Sequence, residues 1–241
     1  MPVTWHEGRV RKIHSLAPNV RHFEVEVPAL QSLDFQAGQF ITMDLPIGDK
    51  RLQRWRSYSI ASAPEGDNVL ELCIARSTEG AGTKYLFESI DEGSEVRFKG
   101  PEGGFVLPEV IEKDLVFICT GTGIAPFRSM ILDIQNTGKS YRNIHLIFGT
   151  RTESGLLYRA EMEQLAREMP RFRYDAALSR QPDWPGHQGY VHQIYLEAYA
   201  QKRPDVDFFI CGWSSMIDEA VANLMLKLGY ERTQVHYELY G

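Results

Sequence analysis

Leu115-Val116-Phe117-Ile118-Cys119-Thr120-Gly121-Thr122-Gly123-Ile124-Ala125-Pro126-Phe127-Arg128 runs from an uninterrupted apolar stretch into a glycine-rich turn and then into a helix-type pattern. An apolar run of this length, bounded by glycines, reads as a strand buried on both faces of a parallel sheet. Glycines after such a strand let the backbone approach an anion, and the exposed N–H groups and dipole of the following helix favour negative charge. Pro126 suits an early helical position. The turn lacks the Lys-Ser/Thr ending of an ATP-type loop, and Pro126 takes the third small position of G-x-G-x-x-G. A dinucleotide suits it; on this segment alone a purely structural turn stays open.

Downstream, apolar runs of the same kind recur at 144–148 and 206–211, and helical patterns occupy 125–135, 157–168 and 216–228. Strands alternating with helices predict a doubly wound α/β domain. Three segments follow its strands: Gly149-Thr150-Arg151, Ala177-Leu178-Ser179-Arg180 and Cys211-Gly212-Trp213-Ser214-Ser215-Met216. Open sheets of this class bind ligands at such strand ends, and an arginine fork with a neighbouring hydroxyl matches phosphate oxygens. A solvated surface arginine is the other reading of Arg180.

Upstream the pattern differs. Short β-type runs at 20–27, 39–44, 57–61, 69–75 and 94–98 are separated by Gly38, Pro46-Ile47-Gly48, Pro64-Glu65-Gly66 and Asp91-Glu92-Gly93. Regular short strands with little helical periodicity predict an antiparallel barrel or sandwich. The change falls at 107–113, giving expected domains 1–108 and 109–241.

Composition narrows the function classes. The chain has 241 residues, 43% hydrophobic and 24% charged, which is ordinary for a packed globular protein. With 26 basic and 32 acidic side chains the formal charge is −6, which argues against nucleic acid as a partner. Cys73, Cys119 and Cys211 are scattered singly, so neither a disulfide framework nor a cysteine-held metal or iron–sulfur cluster is expected. No apolar run suggests a leader or membrane anchor, and a cytoplasmic location is expected.

In the first half, Arg54-Trp55-Arg56-Ser57-Tyr58-Ser59-Ile60-Ala61-Ser62 alternates like a strand, with Arg56, Tyr58 and Ile60 on one side. That side offers a charge for phosphate and an aromatic plane for a ring system. Arg56-Ser57-Tyr58-Ser59 resembles the flavin-binding motif of the ferredoxin–NADP reductase family, and Gly121 to Ser129 resembles its nicotinamide-nucleotide motif. Gly100-Pro101 with Gly103-Gly104-Phe105, Gly149, Ser179-Arg180, Cys211 to Met216 and Glu238-Leu239-Tyr240 match further family blocks, in order, over nearly the whole chain.

The resemblance implies a six-stranded antiparallel flavin-binding barrel followed by a doubly wound parallel-sheet nucleotide domain. It implies FAD rather than FMN. Arg56 would neutralise the pyrophosphate with Gly82 and Thr83, Ser57 lies within the motif, Tyr58 would stack on the flavin, and Ser59 would sit by flavin N5. The backbone of Leu72, Cys73 and Ile74, with Arg76, matches the next flavin-contacting segment. Thr120, Gly121, Thr122, Gly123 and Gly212 match the nucleotide pyrophosphate site, and Arg151 would lie near phosphate. Ser179 and Arg180 match residues that hold the 2′-phosphate of NADP, and Tyr190 matches an aromatic that stacks on adenine. NADPH is therefore favoured over NADH, by a margin reduced where Gln188 replaces the family's lysine. Ser59, Cys211 and Glu238 would form the reacting centre, with Tyr240 covering the flavin.

The implied activity is hydride transfer between NADPH and FAD, with single electrons passing to ferredoxin or flavodoxin. Lys50, Arg51, Arg54, Arg97 and Lys99 flank the flavin motif as a basic cluster able to steer an acidic redox partner. The alternatives are the reductase component of an oxygenase, a free-flavin reductase, and a non-catalytic electron-transfer subunit.

Overall fold

The computed structural model describes residues 4–239. Its contacts divide the chain into two compact units. One runs to Leu107 and takes in Ala125–Asn136; the other comprises Pro108–Ile124 and the chain from Thr137 onward.

The first unit is a six-stranded antiparallel sheet built from β1 (Trp5–Ala17), β2 (Val20–Glu26), β3 (Phe40–Asp44), β4 (Trp55–Ser59), β5 (Val69–Ala75) and β6 (Glu95–Glu102). The order is β4-β3-β6-β1-β2-β5. Its two edges meet just beyond β4, where Ile60 bridges Leu72 and the Ala61 N–H donates to Glu71 O at 2.8 Å, closing the sheet into a barrel. Closure removes both edge strands. Alternation sorts the side chains: Phe23 and Val25 of β2 and Leu70, Leu72 and Ile74 of β5 fill the interior, while His22, Glu24, Glu71 and Cys73 fall on the other face. A single-turn helix α1 (Arg51–Arg54) joins β3 to β4, and α2 (Ala81–Glu88) lies between β5 and β6.

The periodicity does not mark β1, although it is the longest strand. Its near half pairs with β6 and its far half with β2, and its register shifts between Val10 and Lys12 and again between Ser15 and Ala17. Those shifts break the period-2 pattern that makes a strand legible.

The second unit is a six-stranded parallel sheet in the order β10-β9-β8-β7-β11-β12. Its strands are β7 (Asp114–Thr120), β8 (Ile144–Thr150), β9 (Phe172–Leu178), β10 (His187–Gln188), β11 (Val206–Gly212) and β12 (Val235–Leu239). α3 (Ile124–Thr137), α4 (Arg159–Glu168), α5 (Val191–Ala198) and α6 (Ser214–Ala222) punctuate them, and a π-helical turn, Asn223–Lys227, follows α6. From β7 the chain lays β8, β9 and β10 on one side and β11 and β12 on the other, so the strand order reverses between β7 and β11. Crevices at such reversals are where sheets of this class bind ligands. Among the described residues no helix is long and apolar enough to cross a membrane.

Candidate active site

The glycine turn sits at that reversal. After β7, Gly121 takes φ 54°, in the left-handed region, and the 3-10 turn Gly121–Gly123 leads into α3. A β-carbon on Gly123 would collide with the Cys211 carbonyl, and one on Gly212, at φ 140°, would collide with the Thr120 hydroxyl. The Trp213 N–H donates to Thr120 Oγ1 at 3.2 Å. Thr120 to Gly123 and Gly212 therefore form one interlocked pair of strand ends, in which Gly123 and Gly212 leave no room for a β-carbon.

Along the same carboxyl edge, Arg151 follows β8 and Ser179-Arg180 follow β9. The two loops are stitched together: Ser179 N–H donates to Thr150 O at 3.0 Å, and Arg180 N–H to Arg151 O at 2.8 Å. Arg151, Ser179 and Arg180 thus belong to adjacent strand ends in one row with the glycine turn. Gln188 is turned to other work, its amide donating to Pro182 O at 2.8 Å and Trp184 O at 3.1 Å, which shapes the neighbouring loop. Tyr190, just before α5, is 68% exposed, an aromatic face available to a stacking partner.

At the other side of the reversal, Cys211 of β11 and Glu238 of β12 are register partners. Cys211 is fully buried and is the register partner of Cys119 on β7, both as free thiols. Burial pushes the Cys119 thiol well up, and Cys211 beside it adds to the rise, so Cys119 stays protonated. Tyr240 lies outside the described residues.

In the barrel unit, Arg56, Ser57, Tyr58 and Ser59 occupy β4. A β-carbon on Gly82 would lie 2.9 Å from Arg56 Cγ and 3.2 Å from Arg56 Nε, so the glycine makes room for the arginine stem beside the first turn of α2. No acidic residue occupies that turn. The Arg56 guanidinium donates to Trp55 O at 2.7 Å and Leu52 O at 3.3 Å, and its charge together with the dipole and N–H groups of the α2 turn suits an anion. Thr83 Oγ1 accepts from Ser77 N–H at 3.0 Å and donates to Gly80 O at 3.1 Å, which fixes the loop entering α2. Tyr58 packs against the barrel core, and burial raises its phenol far above the usual range despite the opposing charge of Arg56. Ser59 is buried, and Ser57 shares a 3.0 Å hydrogen bond with the Thr42 hydroxyl. Leu72 and Ile74 face the core and Cys73 the outside, while Arg76 is ion-paired with Glu88.

The sequence reading passed over Arg128, the last residue of its opening stretch. Its buried guanidinium donates to Ala61 O at 2.7 Å and pairs with Glu71 at 2.5 Å, and Ser129 Oγ donates to Ser62 O at 2.6 Å. These bonds hold the segment just beyond Ser59. Nothing in the spacing of Arg128 separates it from an exposed helical arginine.

The residues fit two anionic cofactors. The Arg56, Gly82 and α2 arrangement suits one pyrophosphate, and the glycine turn with the arginines of the adjacent strand ends suits a second dinucleotide. Family models agree in kind and place: that of the oxidoreductase FAD-binding domain matches residues 7–107, and that of the oxidoreductase NAD-binding domain matches 117–222. The chain is 35% identical over 240 residues to ferredoxin–NADP reductase B of Sorangium cellulosum, covering 97% of each chain. It is 31% identical over 235 residues to the reductase component of phenol 2-monooxygenase from a Pseudomonas species, covering 96% of this chain but 64% of that one. A ferredoxin–NADP reductase from Neisseria gonorrhoeae, solved with bound FAD and NADP, shares the fold at a TM-score of 0.81 and 24% identity, over 97% of this chain and 98% of that chain. With the barrel, the reversed parallel sheet and both cofactor domains in place, the chain belongs to the ferredoxin–NADP reductase family and is an FAD-containing, nicotinamide-dependent oxidoreductase.

Proposed function

We propose that this chain takes electrons from NADPH and delivers them one at a time to a small acidic redox protein of the ferredoxin or flavodoxin type. The observation that carries the nucleotide half is the row formed by Arg151, Ser179 and Arg180 with the glycine turn, since a 2′-phosphate needs a fixed cation and hydroxyl beside the adenosine end. The acceptor half rests on the whole-length relative, itself named a ferredoxin–NADP reductase.

FAD, when bound, supplies the two-electron to one-electron conversion. The chain's residues do the positioning. Arg56, Gly82 and Thr83 hold the FAD pyrophosphate; Tyr58 gives the ring system its aromatic wall; Ser57, Leu72, Cys73, Ile74 and Arg76 line the remaining flavin segment. Thr120 to Gly123 and Gly212 bind the nucleotide pyrophosphate, Arg151 lies near phosphate, Ser179 and Arg180 hold the 2′-phosphate, and Tyr190 stacks on adenine. Cys211, beside its register partner Glu238, would set a small, uncharged wall at the nicotinamide end, and in the barrel Ser59 would stand by the flavin. Hydride transfer depends on closeness and alignment more than on acid or base strength.

The basic cluster is less charged than its sequence suggests. Arg54 pairs with Asp44 at 2.7 Å, Arg97 with Glu7 at 3.4 Å and with Asp44 at 3.7 Å, and Lys99 with Glu102 at 2.7 Å. Arg51 and Lys99 also lie over Trp55, and Arg97 over Trp5. An acceptor docking there meets a mixed aromatic and charged surface.

The test is the visible spectrum of purified protein mixed with NADPH or NADH, followed by addition of ferredoxin, flavodoxin or free flavin. The expected result is rapid bleaching by NADPH, slower bleaching by NADH, and reoxidation by a protein acceptor. Reoxidation by free flavin alone would replace this reading with that of a free-flavin reductase. The 31% identical monooxygenase reductase favours a second reading, the reductase of an oxygenase, and NADH bleaching as fast as NADPH would turn the balance towards it.

A further inference from the structure

The outer face of the barrel carries a group of donors that neither cofactor uses. β1, β2 and β5 run side by side there, and their registers set His14 opposite His22, Lys12 opposite Glu24, Cys73 opposite His22 and Glu71 opposite Glu24. One ligand atom from each of His14, His22 and Glu24 lies within 4.8 Å of the other two. We propose that His14, His22 and Glu24 bind one divalent transition-metal ion of the zinc class.

The donor set is two imidazoles and a carboxylate, the set of open zinc sites, which leave a further position to water. His22 is 3% exposed, while His14 is exposed and Glu24 half-buried, so the site is anchored on one side and open on the other. Burial keeps the His22 ring uncharged, which is the ligating form. Metal bonds of about 2.0–2.2 Å bring tetrahedral ligand atoms to roughly 3.5 Å from one another. The three side chains must therefore draw in by somewhat more than 1 Å, by rotation of the two more exposed ones. The two rings now stack with centroids 4.5 Å apart and planes 28° apart, so the exposed His14 must turn its ring to aim a nitrogen at an ion held by His22.

The surroundings add two further features. Glu71 Oε1 lies 3.8 Å from His22 Nε2 and is itself held by Arg128, which places a fixed carboxylate beside the ligating ring. Lys12 Nζ stands 3.8 Å from Glu24 and supplies a positive charge at this carboxylate; its side chain is 60% exposed, so it can swing into solvent when a dication arrives. The ion would tie the far half of β1 to β2, where the β1 register is irregular.

The experiment is equilibrium dialysis and calorimetric titration of the FAD-loaded full chain with Zn²⁺, alongside His14→Ala and Glu24→Gln. His14 is exposed and Glu24 only half-buried, and the bound-flavin spectrum verifies that each variant is folded. The expected result is one Zn²⁺ per wild-type chain, with each substitution weakening binding at least tenfold while the flavin spectrum is retained. Co²⁺ in place of Zn²⁺ should give visible ligand-field bands that His14→Ala abolishes. A wild-type chain that retains no ion, or binding equally tight in both variants, overturns the assignment.

Discussion

In the proposed 2′-phosphate site, Arg180 is the residue on which nucleotide choice would turn. Its backbone is fixed to Arg151 O at 2.8 Å, and Ser179 is fixed to Thr150 O, so the loop after β9 cannot drift from the loop after β8. A charged hydrogen bond to phosphate contributes about 1.5–3 kcal/mol, which corresponds to a KM change of roughly 10- to 150-fold. Arg180→Ala is thus expected to raise KM for NADPH by that factor and to leave KM for NADH within about twofold, because NADH has no 2′-phosphate. Steady-state kinetics with both nucleotides checks it, and equal increases would remove Arg180 from the 2′-phosphate site. Ser179-Arg180 stands out in the sequence because it pairs a hydroxyl with an arginine in a block that the family resemblance matches. Arg128 does not, because its role depends on the carbonyl of Ala61 and the carboxylate of Glu71, brought to it only by folding. His14, His22 and Glu24 were equally hidden: cysteine spacing is read along the chain, whereas these donors meet across strand pairs.

At the scale of elements, the parallel strands were the most legible part, since β7, β8 and β11 are buried on both faces and read as unbroken apolar runs. β9 escaped because Arg173, Tyr174 and Asp175 interrupt its apolar run. That polar interruption has a purpose: Asp175 Oδ2 accepts from His145 Nε2 of β8 at 2.8 Å, and His145 Nδ1 accepts from the Tyr199 hydroxyl at 2.9 Å. Burial lowers the His145 pKa below its ordinary 6.5 even though Asp175 pulls the other way. In the unfolded chain the ring titrates near 6.5, so acidification below that value adds a proton to the unfolded state that the folded state resists. The stability that neutral His145 contributes is complete above pH 6.5 and is lost as pH falls towards its lower folded value. Thermal unfolding followed from about pH 7 to about pH 5 should show a falling Tm in the wild type and a flatter profile in His145→Gln. Parallel profiles would assign the acid sensitivity to other groups.

At the scale of the whole molecule, composition, the strand and helix alternation and the cofactor motifs place a barrel before a parallel sheet, and folding agrees. The contacts, however, do not divide the chain in one place. Ala125–Asn136, the body of α3, packs with the barrel unit although it follows the nucleotide turn in sequence. Its holdings there are specific: the Arg128 bonds to Ala61 and Glu71, the Ser129 bond to Ser62, and Phe127 edge-on to Phe105 at 5.8 Å. A fragment ending at residue 108 would leave the Glu71 carboxylate without Arg128 and would uncover the surface on which Phe127 and Met130 pack. Losing hydrogen bonds to a charged group costs about 1.5–3 kcal/mol, and withdrawing a buried aromatic costs about 3–5 kcal/mol more. Together these approach the 5–15 kcal/mol that ordinarily holds a domain folded. Fragment 1–108 is therefore expected to lack a cooperative unfolding transition and to lose FAD on gel filtration, while the full chain retains both. Arg128→Met in the full chain should lower stability by roughly 1.5–3 kcal/mol without abolishing folding, since the apolar contacts of α3 persist. A fragment 1–108 that unfolds cooperatively with FAD bound would show that the barrel stands without α3, and that the Arg128 contacts serve the segment beyond Ser59 alone.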